Sequence, residues 1–236
     1  MTDGINVPVY IAHYDKAFER KKYLDENLPK MKFPSVTFSS NFCNRETMYK
    51  GITQDIVDTT RNIHLLKQKF TDNNNRSIIL QQSQPHYLGN FLNHISIWKR
   101  IAEGKENYGL ILEDDTVLLD NAYEILKKQI DNIPKDLDVG YLHMGCGYTL
   151  ENYFNIIPKT GAVWMKTPHR LGRTACTYLL SKQAAQKMMK VVFPISFPVD
   201  HELNFLQSVL KLNVYWTVEH ALGEGSALNS YDSYFR

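Results

Sequence analysis

The chain has 236 residues, with 27 Lys plus Arg against 25 Asp plus Glu and a formal charge of +2, the size and balance of one ordinary globular domain. Its 43% apolar and 22% charged residues exclude a disordered or collagen-like chain, and near-neutrality without long Lys/Arg runs gives no electrostatic reason to expect nucleic acid as a partner. No apolar stretch approaches the roughly 20 residues of a bilayer span, and the opening MTDGINVPVYIAH lacks a basic segment followed by an apolar core. The expectation is therefore a cytoplasmic protein with no transmembrane segment, at most peripheral to a membrane. Cys43, Cys146 and Cys176 are odd in number and far apart, which points to a reducing compartment and to neither a disulfide framework nor a zinc knuckle.

Short apolar runs alternate with helical periodicity along the chain. Val7 to Ala12 reads as a buried strand and Ala17 to Leu28 as an amphipathic helix ended by Pro29. Val36 to Phe38 is a second strand, followed by a long polar stretch through Asn75. From Leu88, the positions Phe91, Leu92, Ile95, Trp98, Ile101 and Ala102 recur at spacings of three and four, a helix with one buried face that stops at Gly104. Tyr108 to Leu112 is a fully apolar strand running into Glu113, Asp114 and Asp115. Asp120 is placed to cap a helix with Ala122, Leu126, Ile130 and Ile133 on its face. Val139 to Met144 and Thr174 to Leu180 read as strands, and Ser181 as the cap of a helix facing inward with Ala184, Ala185, Met188, Met189 and Val192. Leu203, Leu206 and Leu210 mark a last helix, Val214 to Val218 a last strand, and HALGEGSALNS a flexible tail. This alternation predicts an α/β sheet covered by helices on both faces.

Three adjacent carboxylates at the carboxyl end of a strand invite a divalent cation, because like charges repel and burial is costly without compensation. Oxygen donors suit Mg²⁺ or Mn²⁺, whose remaining positions a nucleotide diphosphate can fill, and ligands of open α/β sheets bind at that end of the strands. The bland alternative is a solvated acidic turn that starts the next helix. Two chemistries fit a functional cluster: sugar transfer from a nucleotide donor and phosphoryl transfer through an aspartyl phosphate. The second needs Asp where this chain has Glu113, and ranks lower.

Several blocks then carry a resemblance. The opening VYIAHYDKAFERKKYL, the helix LGNFLNHISIWKRI with Asn93 where Ser is usual, GLILEDD, GRTACTYLLSKQAAQKMM and the proline-Asp-x-x-Leu block FPVDHEL follow one another in the order and spacing of a known family. They resemble glycosyltransferase family 25, which contains bacterial lipopolysaccharide and lipooligosaccharide galactosyltransferases and the procollagen galactosyltransferases. The tail GEGSALNS lacks the usual proline and glutamine before it.

The resemblance implies a single GT-A type, Rossmann-like domain with a mixed, mostly parallel sheet, a nucleotide-sugar half over about residues 1–120 and an acceptor half over about 121–236. Glu113 and Asp115 take the two ends of a D-x-D-like motif, with Asp115 as chief metal contact and Glu113 or Asp114 on the donor ribose or a metal-bound water. Asp200 becomes the general base, with Glu202 in reserve and a helix cap as the alternative role of Asp200. His94 is raised from a structural histidine to a donor-pocket residue, and His220 stands where a late histidine completes the metal shell in related architectures, while Ser226 matches the family's tail serine. His13 and Asp15 occupy the loop facing the nucleotide, Arg20 meets the nucleotide or stays solvated, and Arg170 and Arg173 hold a diphosphate or an anionic acceptor. Tyr148 and Trp164 are candidates for an acceptor pocket.

The expected activity is metal-dependent, inverting transfer of a hexose from a nucleotide sugar such as UDP-galactose or UDP-glucose to a hydroxyl of a glycan, glycolipid or glycoprotein. A catalytically silent sugar- or nucleotide-binding protein of the same fold is the alternative from another class.

Overall fold

The computed structural model describes residues 4–40, 85–144, 149–168, 172, 174–193 and 198–228. Cys43, Cys146, Tyr148, Arg170 and Arg173 lie outside the described residues.

The chain opens with β1 (Val9–Ala12), α1 (Phe18–Asn27) and a 3-10 turn (Leu28–Met31) that carries Pro29, so the predicted first helix tightens at its proline instead of stopping. β2 (Val36–Ser39) follows, then α2 (Pro85–Glu103), β3 (Tyr108–Glu113), β4 (Thr116–Leu118) and α3 (Ala122–Asp131). The cap of α3 is Asn121, in the left-handed conformation and without a side-chain cap bond, so Asp120 does not play that part. β5 (Val139–Tyr141), β6 (His143–Met144), α4 (Leu150–Phe154), β7 (Trp164–Lys166) and β8 (Thr177–Ser181) come next. The remainder is α5 (Lys182–Met189), α6 (Val199–Val209), β9 (Val214–Thr217) and β10 (Leu222–Glu224). Ser181 caps α5 as expected, its Oγ accepting the Ala184 N–H over 3.1 Å.

Seven strands form the central sheet in the order β2-β1-β3-β8-β5-β9-β7. β1 pairs in parallel with β2 and β3, and β5 with β9, whereas β8 runs against β3 and β5 and β7 against β9. Five strands thus point one way and two the other, the mixed, mostly parallel α/β sheet the sequence predicts. A second sheet, β4-β10-β6, comes partly from the segment read as a flexible tail. Leu222 and Gly223 pair with both β4 and β6, so the end of the described chain is held as a strand.

Alternation along the strands divides the core into two layers. Ile111, Tyr178 and Leu180 face α2, α5 and α6, packing with Phe91, Trp98, Met188, Leu203 and Leu206. Leu110, Leu112 and Leu179 face the other side, against Leu24 of α1 and Leu126 and Ile130 of α3. Each fully buried large apolar side chain contributes about 1.5–3 kcal/mol relative to exposure. The sheet and α2 approach closely at Gly109, where an added Cβ would lie 2.6 Å from Ile101 Cδ1. No helix among the described residues is long and apolar enough to cross a membrane.

Candidate active site

Opposed strand directions gather the polar residues at one end of β3. Because β8 is antiparallel to β3, its beginning lies beside the end of β3, and the Glu113 N–H donates to the Cys176 carbonyl over 2.7 Å. Parallel pairing with β1 sets Ala12 opposite Glu113, and the Asp114 N–H donates to the Ala12 carbonyl over 3.1 Å. β10 closes the third side: Glu224 pairs with Thr116, and the Gly225 N–H donates to the Asp115 carbonyl over 2.8 Å.

The three acidic residues have three environments. Asp114 is buried, and its Oδ1 accepts from Arg20 Nη1 over 2.9 Å while its Oδ2 lies 3.0 Å from His13 Nδ1 and accepts the Tyr14 N–H over 2.7 Å. Both oxygens are engaged, so Asp114 ties α1 and the β1 loop to β3 and is not the free carboxylate a donor ribose would need. Arg20 is correspondingly not solvated; it is buried as the counter-charge of Asp114. His13 is buried too, its ring edge-on to Phe38, whereas Asp15 is exposed on the intervening turn.

Glu113 is aimed by α2. Asn90, His94 and Trp98 recur every four residues on one face of that helix. Asn90 Nδ2 donates to Glu113 Oε1 over 2.8 Å, and His94 Nε2 lies 3.3 Å from the same oxygen. His94 Nδ1 is 2.9 Å from the Tyr178 hydroxyl, which accepts from Trp98 Nε1 over 2.7 Å. An ionised Glu113 can only accept, so His94 donates to it through Nε2–H, and a neutral ring then takes the phenol proton at Nδ1. His94 is fully buried and acts as a positioning group behind the carboxylate.

Asp115 is buried beside Glu113, and Cys176 completes a cluster in which one donor atom from each of Glu113, Asp115 and Cys176 lies within 4.8 Å of the others. Burial first and the Glu113 charge second push the Asp115 acid up to about 7, against weaker relief from a Ser226 hydrogen bond and Arg20. Burial and the same carboxylates raise the Cys176 thiol, which donates to Asp115 Oδ1 over 3.8 Å. Glu224 joins from β10, its carboxylate accepting Thr174 Oγ1 over 3.0 Å and Ser226 Oγ over 3.2 Å. Burial, with Glu113 as the leading neighbour and Asp200 behind it, raises its acid as well.

A model of the family described as glycosyltransferase family 25 (LPS biosynthesis protein) matches residues 6–203. The chain belongs to glycosyltransferase family 25. No curated protein matches it. The family-25 chain is accordingly a glycosyltransferase, which takes a sugar donor and a glycan acceptor.

The donor set of this family-25 site fits a divalent cation: Glu113 and Asp115 bring two carboxylates close to each other and to Cys176, and burial with the Glu113 charge raises the Asp115 acid, as expected where no cation compensates the pair. His220 is not brought there. Among the described residues the donor atoms within 4.8 Å of one another come from Glu113, Asp115 and Cys176, and His220 stands ahead of β10, four residues before Glu224. Asp200 sits inside the first turn of α6, whose cap position is Pro198, and its Oδ1 accepts the His201 N–H over 3.0 Å, so it is not the helix cap. Glu202 is fully buried on the inner face of α6. Trp164 is buried on β7 with Nε1 donating to the Gln129 carbonyl over 2.9 Å, a core residue and not a wall of an acceptor pocket.

Sequence reasoning missed Asn90, Cys176 and Glu224. The first was signalled by its four-residue spacing from His94; the others become neighbours only through the β3–β8 and β4–β10 pairings.

Proposed function

We propose that the chain transfers a hexose, galactose or glucose, from a UDP-sugar to a hydroxyl of a glycan, glycolipid or glycoprotein, with inversion and with Mn²⁺ or Mg²⁺ at Glu113 and Asp115. The observation that carries this reading is the pair of carboxylates at the carboxyl end of β3, one aimed by Asn90 and His94 and the other raised to about 7 by burial and its neighbour. When bound, the cation neutralises charge developing on the departing diphosphate. The chain's own residues do the rest. Glu113 and Asp115 hold the cation, Asp114 with Arg20 and His13 keeps the β1 loop in place beside them, and Asp200 takes the proton of the attacking hydroxyl. Direct displacement needs no enzyme nucleophile, which agrees with a Cys176 thiol that burial holds protonated. Residues 1–236 act as one domain, its first half facing the nucleotide sugar and its second half the acceptor.

The test is isothermal calorimetry of nucleotides and nucleotide sugars with and without Mn²⁺, on wild type and Asp115→Ala. Metal-enhanced binding of one diphosphate sugar, lost in the variant, is the expected result. Absence of nucleotide binding with or without metal overturns the reading.

A further inference from the structure

Tyr153 on α4 is an exposed aromatic ring with a rigid backing. It stacks on Trp216 of β9 with 5.7 Å between ring centroids and 25° between planes, and it meets Phe154 edge-on at 4.9 Å. Trp216 is fully buried and Phe154 packs against the same core, whereas Tyr153 is 44% exposed and Ile157, four residues on, 80% exposed. Backbone bonds hold the short element: the Tyr153 N–H donates to the Thr149 carbonyl over 3.1 Å, and the Asn155 N–H to the Glu151 carbonyl over 2.9 Å. A flat ring already fixed in one orientation gives up little freedom when a ligand lands on it.

Strand register puts this ring on the face of the sheet that carries the candidate active site. Ile111 pairs with Tyr178, Tyr178 with Tyr141 and Tyr141 with Trp216, one row across β3, β8, β5 and β9. Side chains two apart on a strand share a face, so Glu113 lies on the Ile111 face, and Trp216 packs in that same layer of the core. Three strand spacings separate β3 from β9, about 14 Å. That span is longer than one pyranose ring.

We propose that Tyr153 is a stacking platform for a sugar ring of the acceptor glycan, more than one residue removed from the hydroxyl that reacts, so that the acceptor is an oligosaccharide chain. The inference rests on the transfer reading above, with the reaction at the end of β3, and on the glycan acceptor that a family-25 enzyme takes. Chemistry selects the occupant. A pyranose offers a face of C–H groups that covers an aromatic ring and a rim of hydroxyls that suits neutral hydrogen-bonding groups. The segment that carries the ring exposes Asn155 and Thr160 as such groups, and across residues 149–161 the only charges are Glu151 and Lys159, one of each sign. An anionic lipid surface would call for a basic excess there instead.

The experiment binds the full chain, with UDP and Mn²⁺ present, to an array of neutral oligosaccharides from one to six hexoses long, for wild type, Tyr153→Ala, Tyr153→Leu and Tyr153→Phe. Wild type should hold chains of three or more hexoses about tenfold more tightly than the monosaccharide and disaccharide of the same series. Tyr153→Ala should remove that gain, and Tyr153→Phe should keep it, because stacking uses the ring and not the hydroxyl. Should Tyr153→Ala fail to fold, Tyr153→Leu, which keeps apolar bulk over Trp216 without a flat ring, takes its place and should also lose the gain. Calorimetry of UDP with Mn²⁺ should read alike in all four proteins. Wild-type affinity for the long chains in the folded alanine or leucine variant overturns this inference, as does a wild type that prefers no chain of the array to its monosaccharide; nucleotide binding then leaves the transfer reading standing. Binding of wild type to phosphatidylcholine–phosphatidylglycerol vesicles that is lost in Tyr153→Ala, with no dependence on glycan length, makes the ring a lipid contact and overturns it too. Absence of nucleotide binding with or without metal overturns both readings.

Discussion

Arg20 Nη1 donates to Asp114 Oδ1 over 2.9 Å, and both side chains are more than nine-tenths shielded from water. The guanidinium comes from α1 and the carboxylate from the end of β3, so the pair staples a helix to the strand that carries the site. Removing one partner leaves the other buried and uncompensated, which costs about 3–5 kcal/mol. Asp114→Ala should lose stability on that scale in urea denaturation of the metal-free chain.

Its neighbour should behave in the opposite way. Asp115 is raised to about 7 by burial and by Glu113. For an acid raised on folding, the penalty is absent below the unfolded value near 3.8, grows as pH climbs and the unfolded chain alone ionises, and levels off above about 7. Asp115→Asn should therefore stabilise the metal-free protein at pH 7 to 8 by the order of a few kcal/mol and do nothing at pH about 3. Denaturant midpoints of variant and wild type across pH give the comparison; a constant gap at all pH values would refute it.

The same proton competes with metal. On the proposed metal-dependent reading Mn²⁺ displaces it below pH about 7, so affinity should rise with pH toward that value and flatten beyond it. Calorimetry in two buffers of different ionisation enthalpy should detect proton release on Mn²⁺ binding at pH 6 and little at pH 8.5.

Tyr178→Phe tests the support behind Glu113. The change strands Trp98 Nε1 and His94 Nδ1 in a fully buried place, at a cost of about 1–3 kcal/mol. Thermal melting should fall accordingly, and Mn²⁺ affinity should fall less than in Asp115→Asn, because Asn90 still holds Glu113.

Asp200→Asn separates chemistry from binding. On the proposed reading, in which Asp200 takes the acceptor proton, its loss should lower kcat by about 100-fold or more while KM for the donor and Mn²⁺ affinity stay near wild type. A parallel rise in KM with kcat unchanged would assign it to binding instead.

Periodic signals read well and short-range ambiguity did not. α2 and α5 follow their apolar spacing, and Ser181 caps where it should. β4, β7 and β10 are three residues each, too short for alternation to register, and the HALGEGSALNS segment looked like a tail because nothing in it announces the partners on β4 and β6. At the site, the acidic run was legible as a run. The division of labour inside it was not, since Asp114 is settled by Arg20 and His13 some hundred residues upstream, and Asp115 by its burial and its own neighbours. His94 and Trp98 were visible on one helix face, but the hydroxyl that joins them comes from β8.

The reversed direction of β8 has a kinetic side. Strands that begin where another ends allow four sequence-distant segments, β1, β3 with β4, β8 and β10, to meet, yet each junction is a long loop to close before any contact rewards it. β10 is made after β3, β4 and β8, so a nascent chain holds Glu113, Asp115 and the β3–β8 pairing well before β10 can close against β4. Closure of β10 on β4 should then be one of the latest events in refolding, trailing the recovery of helical dichroism from α2 and α5. The small sheet is a reporter of the finished molecule.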